Sequence, residues 1–201
     1  MNATEVGEIR AAGYLHDIGK VSVDKHLFTK PGALEPNEFQ EMADHTVVGH
    51  QIVSTSQFPW PHVPEVVRSH HERADGSGYP DRLRNDEVSL PVRLVAVADT
   101  FDAMLSDRPY RKRHSLGETA AQLSWLAPSK LDGDVVHALL VQLRRDAAVV
   151  MSPPRPWASA ADKARKPFLD SSVPCDISPT DIDHLVSELN HRVHRGRASL
   201  A

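Results

Sequence analysis

Two adjacent imidazoles, His70 and His71, run directly into Glu72-Arg73-Ala74-Asp75-Gly76-Ser77-Gly78-Tyr79-Pro80, and far upstream stands His16-Asp17-Ile18-Gly19-Lys20. Imidazole and carboxylate donors together suit borderline divalent ions such as iron, manganese or zinc. A chain with one cysteine, Cys175, has no thiolate cluster for a closed structural zinc site, so the pattern points to an open, catalytic metal centre. His45 falls between these two motifs. Asp99 and Asp102 lie in the apolar run from Pro91 to Asp107, where a carboxylate is costly unless it is paired or bound to a cation. At i and i+3 the two share a helix face, which suits one as a metal ligand and the other as an acceptor for a ligand histidine.

These motifs, in this order, resemble the HD-GYP family: His16-Asp17 with Gly19-Lys20, then His45, then His70-His71-Glu72 with Asp75-Gly76-Ser77-Gly78-Tyr79-Pro80, then Val97-Ala98-Asp99-Thr100-Phe101-Asp102-Ala103. Arg108-Pro109-Tyr110-Arg111-Lys112 continues the pattern, and the likeness covers roughly residues 9 to 145. The resemblance implies an all-α helical bundle of the HD superfamily and a metal-dependent phosphodiesterase of bacterial signalling that hydrolyses cyclic di-GMP. It implies metal ligands at His16, Asp17, His45, His70, His71 and Asp99, with Asp102 and Glu72 supporting them. Six ligands exceed what one catalytic ion with open positions would use, so two divalent ions are expected, iron or manganese ahead of zinc. Asp17 and Lys20 would act at the reacting phosphate, while Arg108, Arg111, Gly78, Tyr79 and Pro80 would hold the substrate.

One departure bears on the product. Some family members bind a third metal through a Glu and a His on a helix before the His-Asp pair. Only 15 residues precede His16, and Glu5 and Glu8 stand too close to serve. The chain therefore reads as short of the family's first helices, and the linear dinucleotide is the expected product, with GMP as the further possibility. The rival readings are a hydrolase of another nucleotide and a non-catalytic interaction module. Diguanylate cyclase domains are candidate partners of the fold, and a homodimer is a candidate assembly.

The elements that must carry these residues are helical. Val6, Ile9 and Leu15 recur at helical spacing, which puts His16 and Asp17 at a helix end that Gly19 terminates. Residues 21 to 35 read as a connection turning at Pro31-Gly32. Pro36 starts a helix whose apolar face is Phe39, Met42, Ala43, Val47 and Val48, with His45 inside it. A short helix from Val63 delivers His70 and His71 at its end, and Asp75-Gly76-Ser77-Gly78 reads as a wall of the cleft. The Pro91–Asp107 helix, apolar on nearly every side, is expected to be buried. Arg108 and Arg111, next to it, suit a second phosphate, because a guanidinium holds two phosphate oxygens at once. Ser115 and Glu118 form a capping box for the next helix, and 135 to 149 gives the last helix of the core.

At 201 residues, 40% apolar and 25% charged, the chain is long enough for one well-buried domain with an appendage. Residues 1–150 read as the phosphohydrolase core, and 151–201 as a Pro/Ser-rich linker followed by an amphipathic helix with Ile182, Leu185, Val186, Leu189 and Val193 on one face. A net charge of −4 gives no general attraction to nucleic acid polymers. No run is long enough to span a membrane and the N-terminus lacks a signal-peptide pattern, so a cytoplasmic location is expected.

Overall fold

The computed structural model describes residues 1–56, 60–107, 111–151 and 177–198. Among these the ordered elements are helices, joined by loops that contain a single antiparallel bridge between Asp75 and Arg84. The chain divides into two compact units, Met1–Lys112 with Ser129–Asp132, and Arg113–Pro128 with Gly133–Ala201.

The first unit begins with α1 (Ala3–Leu15), whose start is fixed by a capping box between Asn2 and Glu5. A single 3-10 turn follows (Ile18–Ser22), then the short α2 (Lys25–Thr29), α3 (Pro36–Ala43), α4 (His45–Thr55), α5 (His62–Ser69) and the long α6 (Leu90–Leu105). The core lies where α1, α4, α5 and α6 meet. Val63, Val66 and Val67, at i, i+3 and i+4 on α5, are almost completely buried against Ala12, Val53, Val92 and Val95. Each valine taken out of water is worth about 1.5 kcal/mol or more, and this stripe seats α5, the helix that His70 caps, on the core.

Two expectations differ from what folds. The helix read from Pro36 through Val48 is two helices, broken at Asp44, which closes α3. The break rotates α4 so that His45, Thr46, Gly49 and Val53 face inward; Val47 and Val48 are half-buried, and Phe39 is exposed. The second is α6, which is not buried on all sides: Val92, Val95, Ala96, Val97 and Phe101 face the core, while Ala98 and Asp102 face water.

In the second unit, α7 (Leu116–Leu126) starts at the Ser115–Glu118 capping box, α8 (Gly133–Met151) follows, and α9 (Pro179–Ala198) packs on both. Ile182 and Leu189 of α9 are fully buried, and Arg192 donates to Ser124 O and Trp125 O, two of the carbonyls that the end of α7 leaves without helical partners. The linker expected from residue 151 onward lies largely outside the described residues. No helix of the described residues is long and apolar enough to cross a membrane.

Candidate metal centre

Four residues of the first unit that could hold a metal ion, Asp17, His45, His70 and His71, bring one donor atom each to within 4.8 Å of one another. His16 and Asp99 join them: His16 Nε2 lies 3.2 Å from Asp17 Oδ2 and 3.7 Å from Asp99 Oδ1, and His71 Nδ1 lies 4.0 Å from Asp99 Oδ2. The six residues come from five places in the chain. His16 closes α1, Asp17 opens the 3-10 turn, His45 opens α4, His70 and His71 follow α5, and Asp99 sits midway along α6.

Three of the histidines are oriented in the same way. His16 Nδ1 donates to Gly13 O at 2.7 Å, His45 Nδ1 to Met42 O at 2.5 Å and His70 Nδ1 to Val67 O at 3.0 Å. Each acceptor is the carbonyl three residues back, in the last turn of a helix, where carbonyls lack helical partners. A carbonyl only accepts, so Nδ1 carries the proton and Nε2 presents a lone pair in the neutral ring. The Nε2 atoms of His45 and His70 then face each other at 3.4 Å, and both face Asp17 Oδ1, a buried oxygen with no hydrogen-bond donor. Lone pairs and a carboxylate converging on one point are an arrangement that a cation stabilises, so the donor set fits a divalent ion.

The electrostatics agree for His70 and His71, whereas the carboxylates beside His16 keep its ring protonated in the absence of a cation. Burial first, and the neighbouring His16, push His70 down to about 4, so its ring is neutral at neutral pH and free to ligate. Burial and His70 also push His71 down. Burial opposes the charge on His16, but hydrogen bonds to Asp17 and Asp99 outweigh it and raise that ring to about 10. For Asp17, burial is outweighed by His16, His45 and Lys20, and its carboxyl falls well below the usual carboxylate range. Lys20 Nζ sits 2.5 Å from Asp17 Oδ2.

The cluster opens into a cleft of about 660 Å³, within the size range of small-molecule sites. Lys20, Lys30, His45, His71, Tyr79 and Arg111 line it. Arg111 is held by Ala103 O at 2.9 Å, one turn beyond Asp99 on α6. Arg108 lies outside the described residues. Lys30, ion-paired to Glu38 at 2.5 Å, was not anticipated from the sequence; its place in the Lys30-Pro31-Gly32 turn was read as connection only.

Of Gly78, Tyr79 and Pro80, Tyr79 lines the cleft, its ring 4.8 Å from that of His71. Gly78 is instead a packing position: a Cβ there would lie 2.5 Å from Glu72 Cα and from His71 O, and against Arg73 N. The Asp75-Gly76-Ser77 tip does not wall the cleft either, since Lys130 holds it through Asp75 at 2.9 Å and Ser77 at 2.6 Å. Asp102 faces solvent on α6 and orients none of His16, His45 and His70, whose Nδ1 protons go to the carbonyls. Glu72 is also turned away from the imidazoles, and its carboxylate accepts backbone amides of the loop that follows.

Residues 1–135 match the family model described as "HD domain". A cyclic di-GMP phosphodiesterase of Thermotoga maritima is 42% identical over 141 residues, covering 70% of this chain and 38% of that protein. The 3'3'-cGAMP-specific phosphodiesterase 3 of Vibrio cholerae is 34% identical over 131 residues, covering 65% of this chain and 28% of that one. Among solved structures, Bd1817, an HDG"Y"P protein from Bdellovibrio bacteriovorus, superposes with a TM-score of 0.57 at 20% identity, over 69% of this chain and 44% of its own, which speaks for the fold alone. The chain thus covers less than half the length of each of these relatives.

Proposed function

Because this chain belongs to the HD domain family, and within it to the HD-GYP type, we propose that its His/Asp cluster is the divalent metal centre of a phosphodiesterase that opens cyclic di-GMP to the linear dinucleotide. The observation that carries this reading is the convergence of His45 Nε2, His70 Nε2 and Asp17 Oδ1, three acceptors with no donor among them. His16, Asp17, His45, His70, His71 and Asp99 would hold two ions, iron or manganese ahead of zinc, since the donors are imidazole and carboxylate. Bound there, such ions would supply Lewis acidity, making water acidic enough to act as a nucleophile at neutral pH and offsetting charge on the phosphate oxygens.

The chain's own groups do the rest. Asp17, kept ionised by its neighbours, faces both His45 and His70, and Asp99 stands between His16 and His71, so both carboxylates would serve as ligands. Lys20, fixed by Asp17, offers a proton and a positive charge at the mouth of the cluster, where the leaving oxygen gains charge. Arg111 and Lys30 lie in the same cleft and are suited to the second phosphate of a cyclic dinucleotide. The Tyr79 ring, stacked toward His71, presents an apolar face to the substrate.

A second reading has a specific observation behind it. The Vibrio relative is named for 3'3'-cGAMP, which differs in one base and leaves the sugar-phosphate ring the same. Metal analysis combined with product chromatography on cyclic di-GMP and 3'3'-cGAMP tests both. Preference for cyclic di-GMP supports the reading; full metal occupancy in the His70→Ala, His71→Ala double variant would sink the ligand assignment, and turnover of neither substrate by the metal-loaded protein would sink the activity.

A further inference from the structure

We propose that Glu72 is a positioning residue that sets the substrate loop, and through it Tyr79, in one frame with His70 and His71. The inference rests on the cleft reading above but concerns a carboxylate which that reading leaves without a task. Glu72 is 4% exposed and follows the two imidazoles directly. Its Oε1 accepts from Asp81 N at 2.7 Å and Arg82 N at 3.0 Å, and its Oε2 from Leu83 N at 3.0 Å. Three successive amides wrapped on one carboxylate form an anion nest, here filled from inside the molecule. Forming it requires Arg82 at φ 59, a left-handed conformation that a long L side chain adopts at a cost and that persists only where its surroundings enforce it.

The nest is anchored on both sides. Asp81, whose amide Glu72 takes, turns its carboxylate outward into a two-point ion pair with Arg68 of α5, at 2.7 and 2.8 Å. At the other end of the loop, Gly78 lies against the backbone of residues 71–73, and Tyr79 N donates to His71 O. Tyr79 sits between these two attachments, its ring 4.8 Å from that of His71 and in edge contact with Phe39 at 5.6 Å. Removing the nest frees the C-terminal half of the loop and leaves His16, His45 and His70 on their own carbonyls. Glu72 therefore acts on substrate geometry and not on metal capture.

Glu72→Gln tests this, because the amide keeps the shape but replaces one acceptor by a donor facing an N–H. Losing charge-assisted bonds of this kind corresponds to about a 10- to 100-fold change. Hydrogen exchange at amides 81–83 should accelerate by that factor, metal content should stay at the wild-type level, and KM for cyclic di-GMP should rise about tenfold with a smaller change in kcat. Tyr79→Ala should give a similar KM with amides 81–83 still protected. The two KM effects should not add in the double variant, since one acts through the other. Unchanged protection of 81–83 in Glu72→Gln, loss of metal with the loop still protected, or additive KM effects would each overturn the proposal. If Glu72→Gln does not fold, Glu72→Asp, one methylene too short to span all three amides, takes its place with the same readouts. Should the wild-type protein turn over no cyclic dinucleotide, the exchange and metal measurements still decide the role of Glu72, so the two readings fail separately.

Discussion

Gly19→Ala is the change that most directly tests how the metal cluster is assembled. The 3-10 turn that carries Asp17 and Lys20 crosses the start of α4 with backbone on backbone. A Cβ built on Gly19 would lie 2.5 Å from Gly49 N, 2.9 Å from Gly49 Cα and closer still to His45 O. Ordinary contact begins near 3.4 Å, so the turn must retreat from α4 by about 1 to 1.5 Å, and no side chain is there to yield. Overpacking of this sort costs about 2 to 3 kcal/mol, which at this chain length lowers Tm by about 4 to 12 °C. The same retreat acts on Asp17, two residues earlier, whose Oδ1 sits 3.3 Å from His45 Nε2. Metal–ligand distances tolerate only about 0.2 Å, so affinity should fall by about 10- to 100-fold, the scale seen when groups that orient metal ligands are lost. Gly49→Ala is the matched control. Its Cβ meets Val67 Cγ1 at 2.8 Å, a side-chain tip that can rotate, and Gly19 N at 3.2 Å, so the loss should be smaller. Gly7→Ala meets nothing and should stabilise α1 by about 0.5 to 1 kcal/mol. The assays are thermal unfolding with and without manganese, and metal content by mass spectrometry. A Gly19→Ala protein that binds metal as tightly as wild type would refute the crossing as the device that sets Asp17 against His45.

Arg111→Ala should leave metal content intact and weaken kcat/KM for cyclic di-GMP by about 1.5 to 3 kcal/mol, the scale of a charge-assisted hydrogen bond; an equal loss on bis-nitrophenyl phosphate, which has no second phosphate, would place Arg111 in the reaction or the fold instead. Lys30→Ala should act in the same direction, and restoration of KM by Lys30→Arg would show that its charge is what matters. Asp99→Ala should lower metal content together with activity, and removal of metal by a chelator should lower the Tm of wild type but hardly that of the variant. Asp132→Asn should destabilise the protein by about 1 to 3 kcal/mol in thermal unfolding, because Asp132 is buried and meets the Arg93 guanidinium at 2.6 Å.

The chemistry was legible in the sequence because it resides in residue types and order: His16-Asp17, His45, His70-His71 and Asp99 come together in space. How they are aimed was not. The i−3 carbonyls that hold three of the rings depend on where helices end. A sequence signal for them exists in hindsight, a histidine set just past the last turn of a short helix. The break at Asp44 was hidden because apolar residues continue on both sides, and only the burial of Thr46 and Gly49 in place of Val47 and Val48 reveals the change of face. The role of Gly78 was missed for a related reason: turn glycines are read for their backbone freedom, whereas this one is needed for lack of volume. Glu72 stood next to the imidazoles in sequence, and adjacency suggested a shared task, yet a helix end lets neighbouring side chains diverge.

Ser129–Asp132 has a consequence for anyone who would shorten or graft this protein. The four residues belong to the first unit, although the chain on either side of them belongs to the second. Lys130 O takes the amide of Ala74, Lys130 Nζ holds the loop tip, and Asp132 ties down Arg93 and Asn85. The polypeptide therefore passes from one unit to the other three times, and no single cut separates them. A gene fragment ending near residue 112 would encode every side chain of the metal cluster and still leave the loop after His71 without its far moorings. Any transplant of this centre onto another scaffold has to carry that downstream stitch along with it.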